Sequence, residues 1–153
     1  MFAPVARLEA IRLFLAFASF KGFRLFQLDV KCAFLYGKVK ELVYVEQPPG
    51  FPDPDYPDRV YRLNKALYGL HQAPRAWYET LSTHLLSNGF ERGQIDNTLF
   101  IEKQGQDYLL VQVYVDDIIF GSSNEHMCQD FEKVMRQKFE MSAMGELSYF
   151  LGL

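Results

Sequence analysis

Apolar residues recur along the chain with two periods, one typical of helices and the other typical of strands. Residues 5–20 predict a first amphipathic helix, because their apolar positions are spaced three or four residues apart. These positions are Leu8, Ile11, Leu15 and Ala18. Pro4 directly precedes this segment and Gly22 follows it, and both residue types favour the ends of helices. We therefore expect a helix that ends at Gly22.

Two further helices are predicted later in the chain. Pro74 opens the first of them, and the Asn88–Gly89 pair is suited to end it. Its buried face is expected to carry Trp77, Leu81 and Leu85. Ser122 is followed three residues later by Glu125, the spacing of a capping box, which predicts the start of the other helix. The expected buried face of that helix consists of Cys128, Phe131, Val134 and Met135.

Six segments have the apolar or alternating patterns that predict strands. They are residues 23–30, 43–46, 59–63, 98–102, 108–115 and 118–120. Residues 51–58 contain three prolines and three aspartates and predict a loop. Only two residues separate the last two strand segments, which indicates a tight hairpin. Strands mixed with three helices predict an α+β domain in which a mainly antiparallel sheet packs on helices.

Length and composition narrow the class of protein. The 153 residues make one ordinary domain, and a hydrophobic content of 49% excludes a disordered chain. The longest predominantly apolar stretch, Leu13–Phe20, has 8 residues, whereas a membrane-spanning helix needs about 20. Arg7 and Arg12 place charge where a secretion signal would be apolar, so no such signal is expected. Cys32 and Cys128 stand alone, as is typical of reduced thiols inside the cell.

Charge is divided unevenly between the two halves of the chain. Residues 1–76 carry 11 Lys and Arg against 7 Asp and Glu, a net charge of +4. Residues 77–153 carry 5 Lys and Arg against 12 Asp and Glu, a net charge of −7. A domain that binds nucleic acid through its phosphates alone would be more basic. A nucleic-acid function therefore requires basic surface from elsewhere.

The most informative polar feature is the pair Asp116–Asp117, which lies between two apolar, strand-like segments. Aspartate is common in turns, so a solvated hairpin turn is one interpretation. However, the favoured two-residue turns are Asn-Gly and Asp-Gly, because both positions need a positive φ. Adjacent carboxylates also repel each other, and a divalent cation relieves that repulsion. A metal site is the second interpretation.

Asp29 is the candidate for a third carboxylate, since it ends an apolar strand segment. A single aspartate at a strand end is often only a cap or a turn residue. If this strand lies beside the Asp116–Asp117 hairpin, three carboxylates converge. Such oxygen ligands suit Mg²⁺, and the arrangement matches the two-metal sites that transfer phosphoryl or nucleotidyl groups.

Long motifs in a fixed order give the chain a family resemblance. Phe26–Gly37 resembles the first palm motif of copia-type LTR-retrotransposon reverse transcriptases, Tyr68–Trp77 resembles their second motif, and Tyr114–Asp117 resembles their catalytic hairpin. Three more segments match in the same order: Phe2–Arg7, Val45–Phe51 and Gly145–Gly152. The resemblance therefore covers essentially all of residues 1–153.

This resemblance implies an RNA-directed DNA polymerase domain with the fold of a right-hand polymerase palm and partial fingers. Asp29, Asp116 and Asp117 would be the catalytic residues and would bind two Mg²⁺ ions, for which Mn²⁺ can substitute. The reaction would transfer a deoxynucleotide from a dNTP to a primer 3′-hydroxyl. A palm-type cyclase or another nucleotidyltransferase would share the metal chemistry but not the other motifs.

The resemblance also implies binding roles for further residues. Phe34 matches the aromatic gate that excludes a ribose 2′-hydroxyl, although by itself it would be read as a core aromatic. The dNTP would also contact Tyr68, Gly69 and Gln72. Arg75 and Tyr114 would contact nucleic acid. Trp77 could touch the template, but its helical spacing favours core packing.

Two positions depart from the family pattern. Tyr68 stands where retroviral relatives carry a glutamine, so that glutamine's role is not transferred. His71 stands where many copia-type members carry a lysine, which removes a positive charge near the nucleic acid.

The implied partners are an RNA template, a DNA primer and dNTPs. No association with a membrane is expected. The remaining Pol domains (upstream fingers, thumb, RNase H and integrase) are expected outside this chain and would supply the missing basic surface. The expected location is the cytoplasm, within a virus-like particle, or the nucleus. The alternative hypothesis is a non-catalytic, truncated remnant of a transposon Pol polyprotein, which predicts exposed apolar surface.

Overall fold

A computed structural model describes residues 3–37, 44–62, 64–65 and 73–147. Its helices are α1 (Leu8–Lys21), α2 (Ala73–Ser87) and α3 (Glu125–Arg136), with a short 3₁₀ helix at Ala33–Tyr36. Its strands are β1 (Arg24–Val30), β2 (Tyr44–Val45), β3 (Tyr61–Arg62), β4 (Glu91–Arg92), β5 (Leu99–Gln104), β6 (Asp107–Tyr114), β7 (Asp117–Ser122) and β8 (Met141–Glu146). None of the helices in these ranges has both the length and the apolar character needed to cross a bilayer.

Six of the strands form one antiparallel sheet in the order β4-β5-β6-β7-β1-β8, and β2 pairs with β3 separately. The sheet interleaves strands from the two ends of the chain, because β1 lies between β7 and β8. The prediction of an α+β fold with a mainly antiparallel sheet and three α-helices is confirmed for the described residues.

The two faces of the sheet are covered by different helices. On one face, which we call the α2/α3 face, Leu28, Val30 and Phe120 pack with apolar residues of α2 and α3. On the opposite face, which we call the α1 face, Ile119 packs against Ile11 of α1. Side chains alternate between the faces along each strand, so neighbouring residues of β1 and β7 contribute to different cores.

The three helices form where the apolar pattern predicts them, but some of the residues that they bury differ from the prediction. Gly22 ends α1 in the left-handed conformation at φ 70°, as expected. In α1, Phe14 is buried with Ile11 and Ala18, whereas Leu8 is exposed and Leu15 only half-buried. In α2, the predicted apolar face is buried.

The predicted capping box of α3 is wrong. Asn124 caps the helix instead, and its side-chain oxygen accepts the backbone N–H of His126 at 3.0 Å. Ser122 remains in β7, where its hydroxyl donates to the carbonyl of Tyr108. The buried face of α3 contains Met127 in place of Val134, which is only half-buried.

The strand predictions hold for the long strands and fail at the edges. The segment at residues 59–63 forms only β3, and both of its residues are exposed rather than alternating. Of the segment at residues 43–46, only Tyr44–Val45 is a strand, and residues 43 and 63 lie outside the described ranges. The edge strands β4 and β8 were not predicted. Both lack an alternating apolar pattern, because an edge strand buries little surface.

A close approach of two backbones docks the 3₁₀ helix on α2. Gly37 ends the 3₁₀ helix, and a Cβ atom at this position would lie 2.8 Å from the carbonyl carbon of Ala76 and 2.9 Å from the backbone nitrogen of Trp77. Those neighbours are backbone atoms of a buried helix and cannot move aside cheaply. Only glycine therefore allows this packing.

We expect Gly37→Ala to lower the free energy of unfolding by about 1–3 kcal/mol, since the added methyl group overpacks this contact. Urea denaturation of the purified chain measures the change. Leu35→Ala, on the exposed side of the same 3₁₀ helix, is the control and should cost less than about 1 kcal/mol. Equal stabilities of parent and Gly37→Ala would contradict the tight packing.

Candidate active site

The predicted carboxylates lie together at one end of the sheet. Asp29 of β1 is directly opposite Asp117 of β7, and Asp117 is opposite Tyr114 of β6. On its other side Asp29 pairs with Ser142 of β8. Residues directly opposite in antiparallel strands point to the same face, so these four form a row across the α1 face.

Asp116 lies in the turn that joins β6 to β7. The sequence predicted Asp116 and Asp117 as the two turn residues, but the turn consists of Val115 and Asp116, and Asp117 begins β7. Val115 has φ 54°, a left-handed conformation that is rare for a β-branched residue and costs of order 1–3 kcal/mol. The unexpected backbone of Val115 explains why the prediction was wrong by one residue.

Two hydrogen bonds from outside the hairpin hold this turn. The backbone N–H of Val30, at the end of β1, donates to the carbonyl of Asp116 at 3.0 Å. The indole N–H of Trp77, on α2, donates to the carbonyl of Val115 at 2.6 Å. The turn is therefore fixed both to the strand that carries Asp29 and to a helix on the α2/α3 face.

The carboxylates influence each other electrostatically. Partial burial raises the pKa of Asp29, the charge of Asp116 raises it further, and Lys31 opposes both. Partial burial also raises the pKa of Asp117, and the charges of Asp116 and Asp29 add to the increase. The side chain of Gln27 counters this effect, since its amide donates to Asp117 Oδ1 at 3.3 Å. Ionised carboxylates at this site thus carry an energetic cost.

The donor chemistry fits a hard divalent cation. Asp29, Asp116 and Asp117 offer only carboxylate oxygens, the ligands preferred by Mg²⁺ and Mn²⁺. Within residues 3–37, 44–62, 64–65 and 73–147, no group of three or more His, Cys, Asp or Glu side chains is gathered closely enough to hold an ion as it stands. A bound cation would offset the repulsion among the three carboxylates.

The other predicted site residues are placed as follows. Phe34 is 9% exposed and belongs to the core on the α2/α3 face. Tyr114 is half-buried beside Asp117. Arg75, in the first turn of α2, pairs with Glu79 at 3.3 Å. Three residues, Tyr68, Gly69 and Gln72, lie outside the described ranges.

The sequence analysis did not predict the contact of Gln27 with Asp117 or the hydrogen bond of Trp77. Gln27 lies two residues before Asp29 on the same strand, so strand alternation alone could have placed it on the same face. The prediction that Trp77 packs in the core is confirmed, with 1% of it exposed. Its hydrogen bond to Val115 had no sequence signal, because the two residues meet only through tertiary packing.

Comparison with known proteins identifies what the chain is similar to. A family model described as reverse transcriptase (RNA-dependent DNA polymerase) matches residues 1–153. The Retrovirus-related Pol polyproteins from transposons RE2 and RE1 of Arabidopsis thaliana are 42% and 41% identical over 99% of this chain. The corresponding polyprotein from transposon TNT 1-94 of Nicotiana tabacum is 31% identical over 100% of it. The chain spans only 10–12% of the length of these relatives.

We expect Asp117→Asn to raise the melting temperature of the metal-free protein at pH 7. The folded-state pKa of Asp117 is above its ordinary value of 3.8, so the ionised form destabilises the fold, and the asparagine removes that charge. Below the ordinary value Asp117 is protonated in both states, and the difference should disappear as the pH falls. Thermal unfolding in EDTA at several pH values measures it.

The exposed Asp130 of α3 provides the control, because Asp130→Asn changes the net charge by the same amount away from the site. A melting temperature for Asp117→Asn below that of the parent at pH 7 would show that the charge is not a cost.

Proposed function

The chain belongs to the reverse transcriptase (RNA-dependent DNA polymerase) family, and from this membership we propose that it forms the catalytic palm, with part of the fingers, of a copia-type Pol polyprotein. Its reaction is the template-directed transfer of deoxynucleotides from dNTPs to a primer 3′-hydroxyl. The observation that carries the proposal is the register of β1 with β7, which sets Asp29 opposite Asp117 beside the turn that carries Asp116.

In this proposal the acidic residues hold the reacting groups through metal ions. When bound, two Mg²⁺ ions supply Lewis acidity that activates the primer hydroxyl and stabilises charge on the leaving pyrophosphate. Asp29, Asp116 and Asp117 provide the carboxylate oxygens, and Gln27 orients one oxygen of Asp117. The hydrogen bond from Val30 to the Asp116 carbonyl keeps the turn next to the end of β1.

The substrate contacts extend the proposal to neighbouring residues. Phe34 follows β1 on the 3₁₀ helix and is 9% exposed, so only a small part of its side chain would meet the sugar of the dNTP. Tyr68, Gly69 and Gln72 complete the dNTP site. Tyr114 lies in the same row as the acids and is suited to contact the primer or template. Arg75 would give up its ion pair with Glu79 and bind a phosphate of the nucleic acid instead.

The partners follow from the size and charge of the chain. The relatives are named as Pol polyproteins, and the chain corresponds to about a tenth of each of RE1 and RE2. The net charge of −3 is unfavourable for binding an RNA template and a DNA primer, so basic surface from other Pol domains is part of the proposal. The apolar side chains of Leu13 and Phe20 on α1 are 71% and 84% exposed. Contact with further Pol domains would cover them, but a truncated remnant also predicts such exposure, so this surface does not separate the two hypotheses.

We expect Mg²⁺-dependent primer extension on an RNA template, and its loss in Asp29→Asn and Asp116→Asn. Removing one ligand of a catalytic ion costs several kcal/mol in the transition state, so each variant should be at least about 100-fold slower. The assay uses the purified chain alone and the chain joined to the flanking Pol segments of a plant relative. Circular dichroism checks that every variant is folded.

Asp130→Asn, far from the site on the exposed side of α3, should extend the primer at the parental rate. Extension by the joined protein but not by the chain alone would show that the palm needs its neighbours. A folded joined protein without any extension would contradict the proposal and support the non-catalytic remnant. Formation of a cyclic nucleotide would support a palm-type cyclase.

A further inference from the structure

Trp77 connects the interior of the fold to the turn that carries Asp116. It is the single tryptophan of the chain and lies on α2, on the face of the sheet opposite the acids. Its indole N–H donates to the Val115 carbonyl at 2.6 Å. The bond is partly buried, and a carbonyl withdrawn from water without a donor carries a desolvation penalty, so this bond favours one orientation of the Val115 carbonyl.

That orientation bears directly on Asp116. The Val115 carbonyl belongs to the peptide unit before the Asp116 Cα atom, and the Asp116 carbonyl belongs to the peptide unit after it. Trp77 holds the first and Val30 holds the second. When both flanking peptide planes are fixed, the direction of the Cα–Cβ bond between them is fixed too, and so is the position from which the carboxylate extends.

The indole is itself held rigidly. Its ring packs edge-on against Phe139, with centroids 5.1 Å apart, and the centroid of the Tyr36 ring lies 6.4 Å away. The hydroxyl of Tyr36 accepts the backbone N–H of Glu140, which fixes that ring in turn. The tight contact of Gly37 with Ala76 and Trp77 joins the 3₁₀ helix to the same point on α2. The donor therefore has little freedom to follow a moving turn.

We propose that Trp77 is a positioning residue, whose indole N–H fixes the peptide before Asp116 and so sets the Asp116 carboxylate for metal binding. It acts through the backbone from the opposite face of the sheet and touches neither substrate nor ion. This inference rests on the proposed function for its catalytic consequence. Its structural consequence, a turn held by the indole, is independent of any polymerase activity.

The test compares two aromatic replacements at position 77 that both lack the N–H donor, one smaller than tryptophan and one of nearly the same volume. Trp77→Phe removes the N–H, and replacement of Trp77 by benzothienylalanine, in which sulfur takes the place of the N–H, removes it with almost no change in shape. Phe139→Leu is the control, because it loosens packing on the same ring and leaves the donor in place. All variants are measured at equal temperature as folded proteins.

Amide hydrogen exchange of residues 114–117 gives the first readout, and Mn²⁺ affinity by electron paramagnetic resonance gives the second. Loss of the N–H should speed exchange in the turn and weaken Mn²⁺ binding, each by about 10-fold or more. Phe139→Leu should stay within about 2-fold of the parent in both. In primer extension, the donor-less variants should lose kcat while KM for the dNTP changes little.

The failures of the two proposals can be told apart. A parent that binds Mn²⁺ and shows the expected exchange pattern, but does not extend a primer even when joined to the flanking Pol segments, contradicts the proposed function and leaves the held turn intact. Donor-less variants with parental exchange and parental Mn²⁺ affinity overturn the role of Trp77, whether or not the parent is active. Equal changes in Phe139→Leu also overturn it, since they would reduce Trp77 to a packing residue.

Discussion

The register between β1 and β7 is the constraint on which the site depends. It places Asp29 opposite Asp117, and the same pairing brings the N–H of Val30 to the carbonyl of Asp116. A slip of one residue would turn the acids of one strand toward the α2/α3 face and its apolar side chains toward the α1 face. The apolar residues next to the acids, such as Leu28 and Ile118, therefore specify the position of the acids.

Because the carboxylates repel each other, this end of the sheet needs support from outside itself. Partial burial first, and the charges of neighbouring carboxylates second, raise the pKa values of Asp29 and Asp117, and the left-handed backbone of Val115 adds a separate cost. Burial of α2 and α3 against the sheet stabilises the fold enough to carry both. On the α1 face, α1 packs against Ile119, whereas Asp29, Asp116 and Asp117 at the acidic end are half-buried.

The amphipathic helices and the long strands could be predicted, because their spacing repeats over enough residues to outweigh local exceptions. The turn was predicted one residue late, since nothing in the residue type of Val115 indicates a positive φ. The cap of α3 was misassigned because the hydroxyl of Ser122 bonds a strand carbonyl that comes close only in the folded chain. Edge strands such as β8 gave no periodic signal.

The acids themselves were found from residue type and order, but what orients them was not. The alternation of side chains along β1 could have placed Gln27 on the same face as the acids. Trp77 was correctly assigned to the core, and for that reason it was not considered as a site residue. Burial and function are not alternatives for a side chain that is apolar over most of its surface and has one polar atom at its edge. An indole packed between Phe139 and Tyr36 is a rigid donor because it is buried, and a rigid donor is what a strained turn beside repelling carboxylates requires.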